Sequence, residues 1–533
     1  MSGAPGKSAI LPIVRPRLLA LALFLGAALI SGFTIRRGID PFDEGLMLST
    51  VDRVLRGQTP YQDFIWPYGP GQPYLLAAVA DLADRSLLWW RILRVACDAG
   101  VALLVFTMLR GRVPLALALA GWLCAACAMA QPVSANPFPA ALLAGLGAFA
   151  VITARTPGRR AWLWAGLLCG VAAAWRLDFG LYSAGAAGLV ILLRGDSSGR
   201  ERVAEAARFA ATSVAAGLVL YAPFLIAAGP AEMFDQLVAT ANRERDYWTL
   251  PFPLGYDGPF SLWPPGTAAE QAKDVLGYYV PLLVLVGVAV AAVSAAAVAR
   301  VADGRARAVW LAGAVALGLG GAVYMYSRAD EFHSAPGVVA LALALPVSAA
   351  AGRGSGLAGR AIAVAAAAVL ALLTANGVLN RASALLQPLP YQRLALPLAD
   401  GVAARPTDAR ALPRVVAEVQ RRVPAGQPIY TTGARSDIGG LSNPLLYVLT
   451  DRPNVLGRDV GLFARPASQR RIVAALRRER PGAVVRWTDP LSARREPNLR
   501  GRSSGSRALD TYLRRRYHPV LRAGYYRVLV PRG

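Results

Sequence analysis

LLWWRILRVACDAGVALLVFTMLRGRVPLALALAGWLCAACA, residues 87–128, decides the fold. An apolar run at 87–109 and a second at 113–130 are joined by Arg110, Gly111 and Arg112. Roughly 20 apolar residues cross about 30 Å of hydrocarbon, so each run reads as a transmembrane helix and the arginine turn as a loop at the membrane surface. Working outward, the same pattern recurs at 18–34, 137–153, 161–175, 179–194, 207–228, 278–299, 308–326, 335–351 and 361–379. The chain therefore reads as a polytopic α-helical membrane protein of about eleven spans. With 55% hydrophobic residues in 533, a single soluble core is excluded.

Arginine placement gives the orientation, because basic residues in short loops stay cytoplasmic. Loops after the second, fourth, sixth, eighth and tenth spans hold Arg110, Arg112, Arg155, Arg159, Arg160, Arg194, Arg200, Arg202, Arg300, Arg305, Arg307, Arg353 and Arg360. Short loops on the other side hold only Arg176 and Arg328. The N-terminus is thus expected in the cytoplasm and the C-terminus outside. Arg15 and Arg17 precede the first run as in a signal peptide. The run ends at Arg36 and Arg37 without a small-residue cleavage site, so it reads as a retained helix.

The formal charge of +25 sits mostly in these loops and the C-terminal third, which argues against a nucleic-acid partner. All four cysteines, Cys97, Cys124, Cys127 and Cys169, fall in apolar runs, so no disulfide framework is expected. Cys124 and Cys127 lack a second pair for zinc and read as packing residues.

The expected organisation is a membrane domain over 1–385, with long outer loops at 36–86 and 229–278. A soluble extracytoplasmic domain follows over 386–533. Helix-like 412–422, 466–480 and 507–517 alternate there with strand-like 428–432, 483–487 and 525–530, which argues a small α/β domain.

The first long loop opens with Asp40, Asp43 and Glu44 at the membrane boundary. A carboxylate there suits a general base; Asp40 or Asp43 equally suits capping of a helix over 45–56. Tyr68 lies further along, in a Pro, Gly and aromatic stretch that fits sugar stacking or an interfacial belt. The end of the ninth span gathers Arg328, Asp330, Glu331 and His333, a set able to meet a phosphate at headgroup level or to pair internally. Arg176 and Asp178 end the fifth span on the same side, and Arg91, Arg94 and Asp98 lie in the second. In the C-terminal segment, Arg435, Asp437, Asn443 and Asp459 read as solvated surface or as an acceptor-binding stretch.

Taken in order, Asp43-Glu44, the loop from Gly57 to Gly71, Trp175 to Gly180, Asp246 to Pro253 and Arg328 to His333 resemble the GT-C superfamily of membrane glycosyltransferases. The resemblance is to the dolichyl-phosphate-mannose-protein mannosyltransferase-like and aminoarabinose transferase-like families. It implies a GT-C-like fold and transfer of a sugar from a polyprenyl-phosphate donor, at the outer face of a bacterial inner membrane, to a glycan, lipid or protein hydroxyl. Asp43, with Glu44 beside it, matches the catalytic motif. Arg328, Arg176, His333 and Arg94 are the candidates for the donor phosphate; Asp40, Tyr68, Asp178, Asp330, Glu331 and Trp248 are those for the substrate pocket. Inversion at the anomeric carbon is expected, and no organic cofactor. Some relatives use a divalent metal, and no spaced ligand motif decides it for this chain. A lipid-linked-sugar flippase and a non-catalytic scaffold of envelope assembly remain the competing readings.

Overall fold

The computed structural model describes residues 16–130, 136–195, 197–240, 242–243, 249–261, 263–301, 303–326, 328–352, 356–386, 390–438, 442–458, 465–493 and 503–532. Eleven apolar helices fall on the expected spans: α1 (Pro16–Gly32), α4 (Leu87–Leu109), α5 (Leu115–Met129), α6 (Phe138–Ile152), α7 (Ala161–Trp175) and α8 (Leu177–Leu193), then α9 (Gly199–Ala228), α11 (Pro265–Val298), α12 (Arg305–Tyr326), α13 (Glu331–Ala351) and α14 (Leu357–Leu386). Six of them, α4, α9 and α11 to α14, are long and apolar enough to cross a membrane; the other five have 15 to 17 residues.

α13 is the axis of the bundle. Its apolar window is 89% buried, against 17% for α9 at the periphery. From Ser334 onward its sequence is Ala, Val, Leu, Ser, Gly and Pro on every side, so that length has no charged face to turn outward. Gly321 of α12 meets Gly337 of α13 so closely that a Cβ would sit 2.6 Å from the Gly337 Cα. Small residues at such crossings let helix backbones approach, the main source of packing attraction inside lipid.

Between α1 and α4 the chain forms α2 (Asp43–Leu55) and α3 (Gly71–Ala83), and after α9 comes the short α10 (Pro230–Phe234), continued by a π-turn at Asp235–Ala239. Buried Gln236 on that turn joins the two long loops: its Oε1 accepts from the Trp66 N–H and its Nε2 donates to the Tyr61 carbonyl, each at 2.9 Å. Both loops therefore gather at one end of the bundle.

The C-terminal segment sits on the same end. It contains two short strands, β1 (Gln392–Arg393) and β2 (Ala403–Ala404), then α15 (Pro406–Arg422), β3 (Ile429–Thr432), α16 (Leu445–Thr450), α17 (Pro466–Glu479), β4 (Ala483–Trp487), α18 (Ala508–Arg516), β5 (Tyr517–Ala523) and β6 (Tyr526–Pro531). The four-stranded sheet has the order β3-β4-β6-β5, with β3 and β4 parallel and the rest antiparallel. Strand alternation gives it two buried faces. Ile429, Val485 and Val528 join α15, α16 and the helices of the first loop in one core; Tyr430 and Val484 pack with α17 and α18 in another. The expected alternation of helices and strands is present, with β5 added between the expected helix at 507–517 and the expected strand at 525–530. Pro519 interrupts the hydrophobic pattern of β5, and the strand bulges between Pro519 and Leu521 at the edge of the sheet.

The first loop and the C-terminal segment share a core: Met47, Leu48 and Val51 of α2 pack with Leu412, Val415, Leu445 and Tyr447. At the tightest point a Cβ on Gly45 would lie 2.3 Å from the backbone nitrogen of Leu445. Backbone cannot yield as a side-chain tip can, so Gly45→Val should cost about 1–3 kcal/mol through overpacking. The check is the thermal midpoint in detergent together with protease sensitivity of the C-terminal segment, both expected to worsen.

Candidate active site

The site begins with a turn that burial of two charges holds in place. Arg91 of α4 and Glu44 of α2 are both buried and form a bidentate pair, Nε to Oε1 at 2.8 Å and Nη2 to Oε2 at 2.9 Å. Arg91 also donates to the carbonyls of Gly38, at 3.0 Å, and Ile35. One guanidinium thus fixes both the exit from α1 and the start of α2, so the residues between them have little freedom.

Those residues include Asp40 and Asp43, which take different roles. Asp40 Oδ1 accepts from the backbone N–H groups of Phe42 and Asp43 at 3.0 Å, which makes Asp40 the capping residue of the turn. Burial, and then the neighbouring charges of Asp43 and Glu44, push the Asp40 carboxyl well above the usual carboxylate range. Asp43 opens α2 and is exposed. The two carboxylates at the helix entrance thereby differ: Asp40 is half-buried with its carboxyl pushed up, and Asp43 is exposed.

Tyr68 connects this turn to the next group. The loop around it docks on the end of α7: the Gly69 N–H donates to the Trp175 carbonyl at 3.2 Å, and Trp175 Nε1 donates to Gln72 Oε1 at 3.0 Å. A Cβ on Gly69 would fall 2.1 Å from the Ala174 carbonyl oxygen, so glycine is required for this contact. Docking sets the Tyr68 ring 4.9 Å from the guanidinium of Arg176, which also lies 4.8 Å from the Tyr324 ring and 5.4 Å from Phe179. Arg176 gives Nε and Nη2 to Asp178 at 3.0 and 2.7 Å. Tyr68 senses the charges of Arg176, Asp43 and Asp178, and its hydroxyl is pushed up mainly by burial.

Tyr324 carries the chain of contacts onward, with its ring 5.3 Å from the imidazole of His333. Asp330 caps α13 by accepting from the His333 N–H at 2.8 Å; the same Oδ1 lies 2.7 Å from His333 Nδ1, and Oδ2 accepts from Arg328 Nε at 2.9 Å. Burial opposes the charge on Asp330, but His333 and Arg328 outweigh it and hold the carboxyl below its ordinary range.

The sequence candidates therefore divide. Asp40, Asp43, Tyr68, Arg176, Asp178, Arg328, Asp330 and His333 form one connected group. Glu44 is buried against Arg91, behind the turn. Arg94 is buried with Asp98, Nε to Oδ2 at 3.5 Å, and with Ser31, whose hydroxyl donates to Asp98 at 2.6 Å. Glu331 turns away from its neighbour Asp330 and accepts from Asn376 at 2.7 Å and Asn380 at 2.5 Å. Trp248 lies outside the described residues. Sequence reasoning missed Tyr324, Asn376, Asn380 and Arg381; the last three are visible as polar residues in the last third of a helix that is mostly Ala, Leu and Val. Among the described residues no three His, Cys, Asp or Glu side chains come together as metal ligands.

No protein-family model matches the chain, and no curated protein matches it in sequence. Solved structures similar to it include the protein O-mannosyltransferase Pmt1-Pmt2 complex of S. cerevisiae bound to the sugar donor, at 17% identity and TM-score 0.34, covering 41% of this chain and 35% of that one. ArnT from Cupriavidus metallidurans bound to undecaprenyl phosphate is similar at 13% identity and TM-score 0.41, over 96% of this chain and 97% of that one. The arabinofuranosyltransferase AftD from Mycobacteria is similar at 12% identity and TM-score 0.48, over 97% of this chain and 40% of that one. The chain thus spans about a third of the length of the mannosyltransferase it matches.

The buried Glu44–Arg91 pair yields a stability prediction. Glu44→Ala leaves a buried guanidinium without its carboxylate and should cost about 3–5 kcal/mol, whereas replacing both partners with apolar residues of similar size should recover most of the loss. Thermal unfolding of the single variant and the Glu44→Leu/Arg91→Met double variant distinguishes a structural pair from two independent residues.

Proposed function

We propose that the protein is a membrane glycosyltransferase that moves a sugar from a polyprenyl-phosphate donor to a hydroxyl of a cell-envelope glycan, lipid or protein. The observation that carries this reading is the pinned turn that leaves Asp43 exposed at the start of α2, its charge felt by Tyr68, over whose ring the guanidinium of Arg176 lies at 4.9 Å. A base and a cation at the end of a membrane bundle fit a reaction between an alcohol and a lipid phosphate ester.

In the proposed reaction Asp43 takes the proton of the acceptor hydroxyl as its oxygen attacks the sugar's anomeric carbon. The bond from that carbon to the phosphate oxygen breaks with inversion, and the lipid phosphate leaves with its charge. Arg176 and Arg328 meet this charge, with His333 beside Arg328 through Asp330. Asp40 caps the turn through the Phe42 and Asp43 N–H groups, and Asp43 is the exposed carboxylate of the turn. Glu44 acts as a positioning residue through Arg91, and Arg94 lies in a separate buried group. Trp248 and Asp178 complete the proposed pocket. The arginine distribution favours an N-terminus in the cytoplasm with the loops and C-terminal segment outside, and the resemblance of the motifs favours a bacterial inner membrane.

The test uses full-length protein in detergent, a panel of radiolabelled polyprenyl-phosphate sugars and membrane extract as acceptor source. Wild type should transfer label from at least one donor. Asp43→Asn should lose roughly 100-fold or more with an unchanged melting temperature, the range for removing a general base. Equal transfer by the folded variant would remove Asp43 from the chemistry, and no transfer by wild type from any donor would turn the reading toward a flippase.

A further inference from the structure

Intramembrane and interfacial arginines are costly and are usually found paired, as Arg91 is with Glu44 and Arg94 with Asp98. Two arginines at the loop-bearing end depart from this. Arg381, in the last part of α14, is half-buried and donates to the Thr34 hydroxyl, at 3.4 Å, with its guanidinium 5.2 Å from the Phe33 ring. Arg37, just beyond α1, is half-buried and donates to the Ala384 carbonyl at 2.9 Å, one turn past Arg381. Among the described residues neither forms an ion pair with a carboxylate. The acids nearest in charge to Arg381 are taken: Glu331 accepts from Asn376 and Asn380, and Asp98 accepts from Ser31 and faces Arg94.

Packing brings these cations together at a lipid-facing seam. α1 and α14 both lean on α5, and Gly377 lets α14 approach so closely that a Cβ there would sit 2.5 Å from the Cβ of Cys127. Arg381 follows one turn later, beside the end of α1. Val378 and Leu385, three before and four after Arg381, are exposed, as are Leu25 and Leu29, eight and four before Phe33. By helical spacing these side chains continue the faces that carry Arg381 and Phe33, so apolar surface runs down the bundle from the cationic end. Arg94 lies behind, adding a third positive charge to the field at Arg381.

We infer that Arg37 and Arg381 form a second phosphate-binding site, distinct from the Arg176 and Arg328 group, which takes the phosphate of a membrane lipid whose chains lie along the α1 and α14 faces. Two guanidiniums offer charge-assisted hydrogen bonds at headgroup level, and exposed Leu and Val side chains supply the apolar path. The inference rests on the membrane placement of the helices and not on transferase chemistry.

Delipidated full-length protein in neutral detergent is titrated with phosphatidylglycerol, undecaprenyl phosphate, diacylglycerol and inorganic phosphate, with bound lipid counted by native mass spectrometry. Wild type should bind phosphatidylglycerol or undecaprenyl phosphate at this site, and the lipid that binds identifies the source; diacylglycerol should not compete. Arg37→Gln and Arg381→Gln should each weaken that binding by about tenfold, the loss expected for a hydrogen bond to a charged group. Arg381→Lys, which keeps the charge, should retain most of it and controls for folding. Unchanged lipid binding in both glutamine variants overturns the site, and so does inorganic phosphate competing as well as either lipid. Loss of one bound lipid in Arg328→Ala but not in Arg381→Gln reports on the donor site alone, so the two proposals fail separately.

Discussion

The geometry of the loop-bearing end depends on the buried pair of Glu44 and Arg91. Taking two charges out of water is expensive, and the attraction between them compensates only when geometry is good and the remaining donors are satisfied. Arg91 meets this condition by giving further N–H groups to the carbonyls of Ile35 and Gly38. Such a pair adds little to stability compared with apolar side chains of the same shape, but it is far more selective about position. Here it specifies the path of the chain between α1 and α2, and with it the positions of Asp40 and Asp43. The adjacent contact of Gly45 with Leu445 then transmits that position to the C-terminal segment, which packs onto α2 through Leu412, Val415 and Tyr447.

Much of the fold was legible because lipid imposes a simple rule. Apolar runs long enough to approach a membrane's thickness stand out, and all eleven expected spans coincide with helices to within a turn or two, the exceptions being extensions such as those of α9, α11 and α14 beyond the apolar window. The soluble part was legible where alternation was clean, as in β4, and obscured where Pro519 broke it in β5. The site was legible by composition more than by partnership. Sidedness alone is enough to expect Asp40, Asp43, Arg176 and Arg328 at one end of the bundle. That Glu44 turns inward to Arg91, 47 positions away, is a matter of packing that no local pattern encodes. The same holds for Asp330 and Glu331, neighbours in the chain whose carboxylates face different clusters.

Sharing the work among carboxylates explains why acidic residues are adjacent at both places. At the start of α2, burial and the neighbouring charges of Asp43 and Glu44 push up the carboxyl of Asp40, the cap, while Asp43 stays exposed at the helix entrance. At the start of α13, Asp330 is surrounded by His333 and Arg328 and keeps its charge, whereas Glu331 is bound by two amides from α14. In each pair one member builds the scaffold and the other faces the cluster of cations or the solvent.

The arginines of the candidate site carry their carboxylates with them, two residues along the chain: Arg176 with Asp178 and Arg328 with Asp330. Such local pairs cost less in ordering than distant ones, since the backbone already holds both partners close. They also orient a guanidinium without neutralising all of its donors, because a carboxylate engages two N–H groups of the five. Aromatic faces of Tyr68, Phe179 and Tyr324 restrict Arg176 further, which fixes the plane of the fork. A cation oriented in this way can meet charge that develops on an approaching group without reorganising, and that is the property required at a phosphate leaving group. Among the described residues Arg37 and Arg381 have no such carboxylate, and this difference in pairing separates the two cationic centres more sharply than their residue types do.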